Sequence, residues 1–262
     1  MSRQNYYKEK KARLKKEIDE SLIIERVKEE RLLQPELGGR KLLVRLQDDF
    51  SEAGITLGRD RFFDVLRSHN LLIKKKRKKA QTTNSKHSFQ VYKNVFKDLL
   101  LSGPNQAWVS DITYIRTEAG FLYLSLITDA FSRKIVGYDA GDSLEATGCM
   151  RSVKKAIAQL PEGAKPVHHS DRGSQYCCHD YINLLNHHQI WISMTEINHC
   201  YENAMAERVN GILKHEYGLK ATFKTKKQAA AAITQAINFY NEIRPHYKLS
   251  MKSPDQVHRL AA

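Results

Sequence analysis

The sequence predicts a two-part chain in which a small all-α unit precedes an α+β domain built on a mixed five-stranded sheet. Three observations carry this reading. Apolar residues recur at helical spacing between residues 21 and 73, the pattern switches to strand-like runs from Ala107, and a polar stretch opening on six basic residues, 74–79, separates the two. A chain of 262 residues with 41% hydrophobic content is long enough to bury one good core and carry a smaller domain beside it.

Residues 1–20 are charged and polar with no apolar stripe, and read as a basic arm, either mobile or a frayed helix. In residues 21–73, "SLIIERVKEERLLQ" places Leu22, Ile23, Val27 and Leu32 at helical spacing, and "RKLLVRLQDDF" does the same with Leu42, Leu43, Leu46 and Phe50. The turn-like "EAGITLG" leads into a third segment, "GRDRFFDVLRSHNLL". Three short amphipathic helices with a Gly-containing turn between the last two resemble a helix-turn-helix domain, and a helical hairpin that merely packs fits the same pattern. Residues 74–100, opening with "KKKRKK", read as a basic linker.

Residues 101–262 form the second domain. "AWVSDITYI", "FLYLSLITDA" and "KIVGYDAG" are extended runs joined by connections short enough for hairpins, so an antiparallel meander is expected. A helix over "SLEATGCMRSVKKAIAQL", a strand at "KPVHHS", a helix over "QYCCHDYINLLNHHQ" and a strand at "IWISMT" follow, and two helices, roughly 203–220 and 225–243, close the domain. That order is the one of the ribonuclease-H-like fold.

Charge and cysteine content narrow the function classes. The net charge is +14, with 25 Lys/Arg against 14 Asp/Glu in residues 1–100 and 18 against 15 in residues 101–262. The excess on the N-terminal side points to a polyanion such as nucleic acid, against the plainer reading of a solvated basic face. No 18-residue apolar run occurs and the start "MSRQNYYKEKKARLKK" lacks the apolar stretch of a secretory signal, so a cytoplasmic protein with no membrane partner is expected. Cys149, Cys177, Cys178 and Cys200 are too few and too clustered for a disulfide framework. With His168, His169, His179 and His199 they suggest zinc, but no Cys-x-x-Cys pair is present and adjacent cysteines chelate one ion poorly.

The segment "KPVHHSDRGSQY" ends a short strand in Ser-Asp-Arg-Gly, and it draws attention to three acids. Asp111 sits inside the first strand, Asp171 ends the fourth, and Glu207 lies on the helix after the fifth. Thirty-five residues separate Asp171 from Glu207, and Lys214 follows Glu207 by seven, two helical turns on along the same face. A single Asp at a strand end is more often a turn or cap residue. Converging carboxylates are different: like charges about 4 Å apart repel by roughly 4 kcal/mol at an effective dielectric near 20, so they need cations or protons.

This spacing is similar to the DDE signature of retroviral integrases and related transposases. The words "PNQAWVSDITYI", "HHSDRGSQY", "SMTEINHCYENAMAERVNGILKHE" and "FYNEIRPHYKLSMKSP" resemble the OrfB transposases of the IS-three family of bacterial insertion sequences, over about residues 38–258. The resemblance implies metal-dependent strand cleavage and strand transfer at insertion-sequence ends. Asp111, Asp171 and Glu207 would be the catalytic acids and would hold two Mg²⁺ ions, with Mn²⁺ as a substitute. It implies double-stranded DNA as partner, both terminal inverted repeats and target, together with OrfA or an OrfA–OrfB fusion, a homo-oligomer on DNA, and association with the bacterial nucleoid. Lys214, Arg172 and the run Lys74, Lys75, Lys76, Arg77, Lys78 and Lys79 are the expected DNA contacts, with a surface salt bridge as the alternative for Arg172. Gly173 would permit a sharp turn or a close approach of DNA, and Ser174 and Gln175 would cap the helix that follows. Glu202 stands where the family has Asp, and Asn198 where it often has Gly; Asn tolerates the left-handed backbone that such a loop uses. Trp108 and Tyr114, flanking Asp111, are expected in the core, with contact to DNA as the alternative for both. Two other functions share parts of the pattern: a DNA-binding regulator inactive without OrfA, and a ribonuclease-H-type nuclease without strand transfer, which would not need the "NEIRPHYKLSMKSP" word.

Overall fold

A computed structural model describes residues 3–73, 88–196 and 203–260. The chain divides into two compact units, Met1–Lys78 and Lys79–Ala262.

The first unit is three helices, α1 (Arg3–Leu33), α2 (Gly39–Glu52) and α3 (Arg59–Ser68). Its core joins Ile23 and Val27 of α1 to Leu42, Leu46 and Phe50 of α2 and to Phe62, Val65 and Leu66 of α3. Residues 3–20, expected as a separate arm, are instead the first turns of one long helix. Once Ile23 and Val27 anchor the helix, each further turn adds backbone bonds without a new nucleation step, and the (i, i+4) pairs Arg13–Glu17 and Lys16–Glu20 add to it. Leu32, expected in the apolar stripe, is 83% exposed. The core-facing stripe runs 23, 27, 30, and Glu30 is tolerated there because Gln34 Nε2 and Arg45 Nε donate to its Oε1 at 2.7 and 3.2 Å.

The second unit holds a sheet of order β3-β2-β1-β4-β5. β1 (Ala107–Thr117), β2 (Gly120–Asp129) and β3 (Ile135–Gly141) form the antiparallel meander. β4 (Val167–Ser170) pairs parallel with β1 over Ala107–Val109 only, and β5 (Trp191–Met194) pairs parallel with β4. One sheet face packs Ile115, Leu122, Leu124 and Leu126 against α7 (Ala204–Glu216) and α8 (Lys226–Glu242). On the other, Trp108, Ile127 and Val136 meet α4 (Ala146–Ile157) and α6 (His179–His187). α4 lies so close on β3 that a Cβ at Gly137 would stand 2.2 Å from the Ser152 carbonyl oxygen. Among the described residues no helix is long and apolar enough to cross a membrane.

Two segments differ from expectation. The run 74–79 lies outside the described residues. The last part of the expected linker is packed in the second unit: the Val95 and Phe96 N–H groups donate to Ser193 Oγ at 3.1 Å each, and Phe96 stacks on His169 at 4.8 Å. The single helix expected over "QYCCHDYINLLNHHQ" is two, α5 (Ser174–Cys177) and α6, because Cys178 is extended at φ −68° and ψ 151°.

The "NEIRPHYKLSMKSP" word closes the unit. Arg244, 2% exposed, makes a two-pronged pair with Glu216 at the end of α7, Nε to Oε2 and Nη2 to Oε1 both at 2.8 Å, and its guanidinium lies 5.8 Å from the Tyr240 ring centre. α9 (Pro254–Leu260) follows and contacts α8. Removing one partner of a buried pair strands the other's charge, so Arg244→Met should lower stability by about 3–5 kcal/mol in urea unfolding. Glu216→Gln, which keeps one acceptor oxygen but removes the counter-charge of the buried guanidinium, should also be destabilising.

Candidate active site

The three acids stand on three elements. Asp111 is on the central strand β1, two residues beyond the last β1–β4 pair at Val109; Asp171 directly follows β4; Glu207 is in the first turn of α7. Asp111 and Asp171 are half-buried and Glu207 is exposed. The Asp111 carboxyl is pushed up to about 7, first by burial and next by the negative charge of Asp171, with Glu207 adding to it. Asp111 therefore feels the charge of both Asp171 and Glu207. Among the described residues no group of three His, Cys, Asp or Glu side chains is drawn together tightly enough to hold one metal ion.

A polar stripe of α7 faces β1. Asn203, Glu207, Asn210 and Lys214 follow one another at steps of four, three and four along one side of the helix. Asn203 Nδ2 donates to the Ser110 carbonyl at 3.0 Å, and Asn210 Nδ2 donates to Asp111 Oδ2 at 2.8 Å. The other carboxylate oxygen accepts the Ile112 N–H at 2.9 Å. These two bonds to the charged form oppose the upward push on Asp111. The Lys214 ammonium lies 4.9 Å from the Tyr114 ring centre. Burial lowers its proton affinity first, the Asp111 charge works against that, and Arg116 lowers it further. Asn210 was missed in the sequence, although its position three residues after Glu207 and four before Lys214 is the signal that puts it on the same side of the helix. Tyr114, expected in the core, is 47% exposed, while Trp108 is fully buried. Glu202 and Asn198 lie outside the described residues.

The "SDRG" turn holds Asp171 in place. Its Oδ1 accepts the Gly173 N–H at 2.9 Å. Gly173 has ordinary dihedrals, φ −62° and ψ 142°, so left-handed freedom is not its purpose. A Cβ there would stand 3.0 Å from Gln175 Oε1 and 3.1 Å from Asp171 Oδ1, and glycine leaves that room. Arg172, expected at a phosphate or in a surface salt bridge, is half-buried and donates from Nε to the Thr195 carbonyl at 2.6 Å, fastening this turn to the end of β5. Ser174 and Gln175 do not cap: α5 has no side-chain cap, and Gln175 Nε2 donates to the Leu144 carbonyl at 2.9 Å.

The histidines of β4 belong to the interior. His168 Nε2 is 2.6 Å from Ser110 Oγ and 2.9 Å from the Tyr181 hydroxyl, and His169 Nδ1 is 2.9 Å from Ser193 Oγ. Burial, helped by His169, pushes His168 down to about 3. Cys149, Cys177 and Cys178 are free thiols; burial pushes Cys149 up to about 12 and Cys177 to about 11. Because His168 binds its proton less tightly folded than unfolded, its contribution to stability is full above about 6.5 and drains away as pH falls toward 3. Urea midpoints measured from pH 7 to pH 4 should fall in the wild type by up to about 1.4 kcal/mol per pH unit, and less steeply in His168→Gln.

Family models described as Integrase core domain match residues 102–200 and residues 188–254. An uncharacterized 31 kDa protein of insertion element IS600 from Shigella sonnei is 37% identical over 226 residues, 83% of this chain and 82% of its own length. The transposase InsF for insertion sequence IS3A of Escherichia coli K12 is 31% identical over 214 residues, 81% of this chain and 74% of its own length. Among solved structures, a chain of the simian T-cell lymphotropic virus intasome in complex with PP2A regulatory subunit B56 gamma superposes with a TM-score of 0.50 at 17% identity, covering 85% of this chain and 70% of that one. The HTLV-2 integrase catalytic core domain in complex with magnesium gives a TM-score of 0.48 at 21% identity, covering 60% of this chain and 98% of that one. The α+β unit thus has the ribonuclease-H-like fold of integrase cores, and the chain belongs to the DDE transposases of the IS-three family of insertion sequences.

Proposed function

We propose that Asp111, Asp171 and Glu207 are the catalytic acids with which this transposase cleaves a phosphodiester at an insertion-sequence end and joins the resulting 3′-hydroxyl to target DNA. The observation that carries the reading is the Asp111 carboxyl, seated on the central strand and raised to about 7 by burial and by Asp171, with Glu207 adding its charge. Such a cluster is costly until cations complete it. Its donors are hard carboxylate oxygens, which suit Mg²⁺ or Mn²⁺. Asp111, Asp171 and Glu207 would together hold the ions. Two divalent ions bound there would supply charge neutralisation at the phosphate and an activated water or 3′-hydroxyl.

The remaining roles belong to the chain. Asn210 and the Ile112 N–H fix both oxygens of Asp111, so the carboxylate is oriented before substrate arrives. Lys214, partly desolvated beside Asp111, would hold a phosphate oxygen near the scissile bond. For DNA binding the reading assigns the helix-turn-helix-like unit of residues 21–73, the run Lys74–Lys79, and the exposed start of α1, whose residues 3–16 carry Arg3, Lys8, Lys10, Lys11, Arg13, Lys15 and Lys16 against Glu9. Terminal inverted repeats and target DNA would be the substrates, with OrfA or an OrfA–OrfB fusion and further copies of this chain as partners at the nucleoid.

With a labelled insertion-sequence end and Mg²⁺, Asp111→Asn, Asp171→Asn and Glu207→Gln should each abolish cleavage while DNA affinity stays within a few-fold. Normal cleavage by two of the three would overturn the assignment, and full activity in excess chelator would overturn the role of metal. Because a proton on Asp111 competes with metal, calorimetric titration of the protein with Mn²⁺ should show affinity rising about tenfold from pH 6 to pH 8. Asn210→Ala should weaken Mn²⁺ binding by about tenfold or more, with cleavage recovering at higher Mn²⁺.

A further inference from the structure

We propose that the uncovered end of the β1–β2 hairpin is a stacking platform for an unpaired DNA nucleotide, with Tyr114 and Phe121 receiving the base and Arg116 and Lys214 its phosphates. The proposal rests on the reading of Asp111 as a catalytic acid. The pairs Tyr114↔Tyr123 and Arg116↔Phe121 put all four side chains on one face of the sheet, the face that α4 and α6 cover farther along at Trp108 and Ile127. Here, among the described residues, no helix covers it: Tyr114 is 47% and Phe121 43% exposed. Their ring centres are 5.6 Å apart at 74°, an edge-to-face pair that holds both rings in fixed orientation while they remain open to solvent.

The surroundings select the occupant. Lys214 comes from α7, on the opposite face of the sheet, and its ammonium reaches to 4.9 Å from the Tyr114 ring centre. It can do so because β4 pairs with β1 only as far as Val109 and leaves that edge of β1 open at Asp111. Arg116 is exposed beside it, so two cations border the rings. A nucleotide presents an aromatic base and an anionic phosphate together, which matches rings bordered by cations in a chain of a DNA-transposing family. Asp111 lies three residues from Tyr114, about 10 Å along the strand and facing the α7 side of the sheet, so a nucleotide adjoining a bond held at the acids reaches the rings around the open edge of β1, where Lys214 also passes. Bases inside a duplex are already stacked on both faces, so the platform discriminates in favour of a frayed or single-stranded end.

The test uses the full chain without metal, titrated with a twelve-residue oligothymidine and, separately, with a blunt duplex of the same length. Tyr114→Leu and Phe121→Leu should each weaken oligothymidine binding by about tenfold, as loss of one base–aromatic stack implies, with duplex binding changed less than twofold. Tyr114→Trp should keep the affinity and add an indole fluorescence that the oligothymidine quenches, measured against the parent's Trp108 and Trp191. Thermal melts of the variants matching the parent would show that the fold is intact, as half-exposed positions allow. Equal losses for both probes, no loss, or no quenching would overturn the proposal. So would unchanged oligothymidine affinity with a shift in oligomeric state by light scattering, which would make the patch an interface between copies. Asp111→Asn separates the two readings: it should bind oligothymidine like the parent whether or not it cleaves.

Discussion

A carboxylate on the middle strand, held close to two others, is the constraint on which the second unit depends. Left to Coulomb's law, Asp171 and Glu207 would move away from Asp111, and Glu207, exposed in the first turn of α7, has the most freedom to do so. What prevents this is a pair of neutral amides. Asn203 takes hold of the β1 backbone at Ser110 and Asn210 takes hold of the Asp111 carboxylate itself, so that α7 is docked by hydrogen bonds on either side of the residue it repels through Glu207. The apolar underside of the helix, Val209, Ile212 and Leu213, supplies the bulk of the burial, and the amides set its register.

The turn after β4 solves the same problem by different means. Asp171 cannot be fixed by a strand partner, because β4 has ended, and it is fixed by its own loop: the Gly173 N–H binds the carboxylate and Arg172 ties the loop to the Thr195 carbonyl beyond β5. An arginine in the middle of an acidic-site motif invites a reading as a phosphate ligand. One of its donors, Nε, binds a backbone carbonyl, so this arginine also braces the loop that carries the acid in front of it.

The meander was legible in the sequence because its signals are local: alternation over β1 to β3 and connections of hairpin length need no tertiary information. The acids were legible because their spacing matched a family pattern, which placed Asp111, Asp171 and Glu207 on the elements where they stand. Asn210 escaped because an amide inside a helix has many uses, and only its partner 99 residues away gives it this one. The break at Cys178 escaped because the apolar spacing of "YCCHDYINLL" continues through it, and the extended backbone there reflects tertiary packing. Tyr114 was assigned to the core on composition, since whether a strand face is covered depends on where α4 begins. The basic start of α1 shows the converse: its charges gave no stripe to read, yet the anchor at Ile23 and Val27 carries the helix through them.

The Arg244–Glu216 clamp has a consequence in time. Synthesis delivers Asp111 early, Glu207 much later and Arg244 later still, and chains fold from the N-terminal end as they emerge. The meander can form as soon as β3 is out, carrying its buried acid with it, but α7 has no fastening at its far end until the segment after α8 arrives and the guanidinium closes on Glu216. A copy whose synthesis stalls before that point holds α7 by Asn203, Asn210 and its apolar underside alone, with Glu216 still lacking the arginine that closes on it.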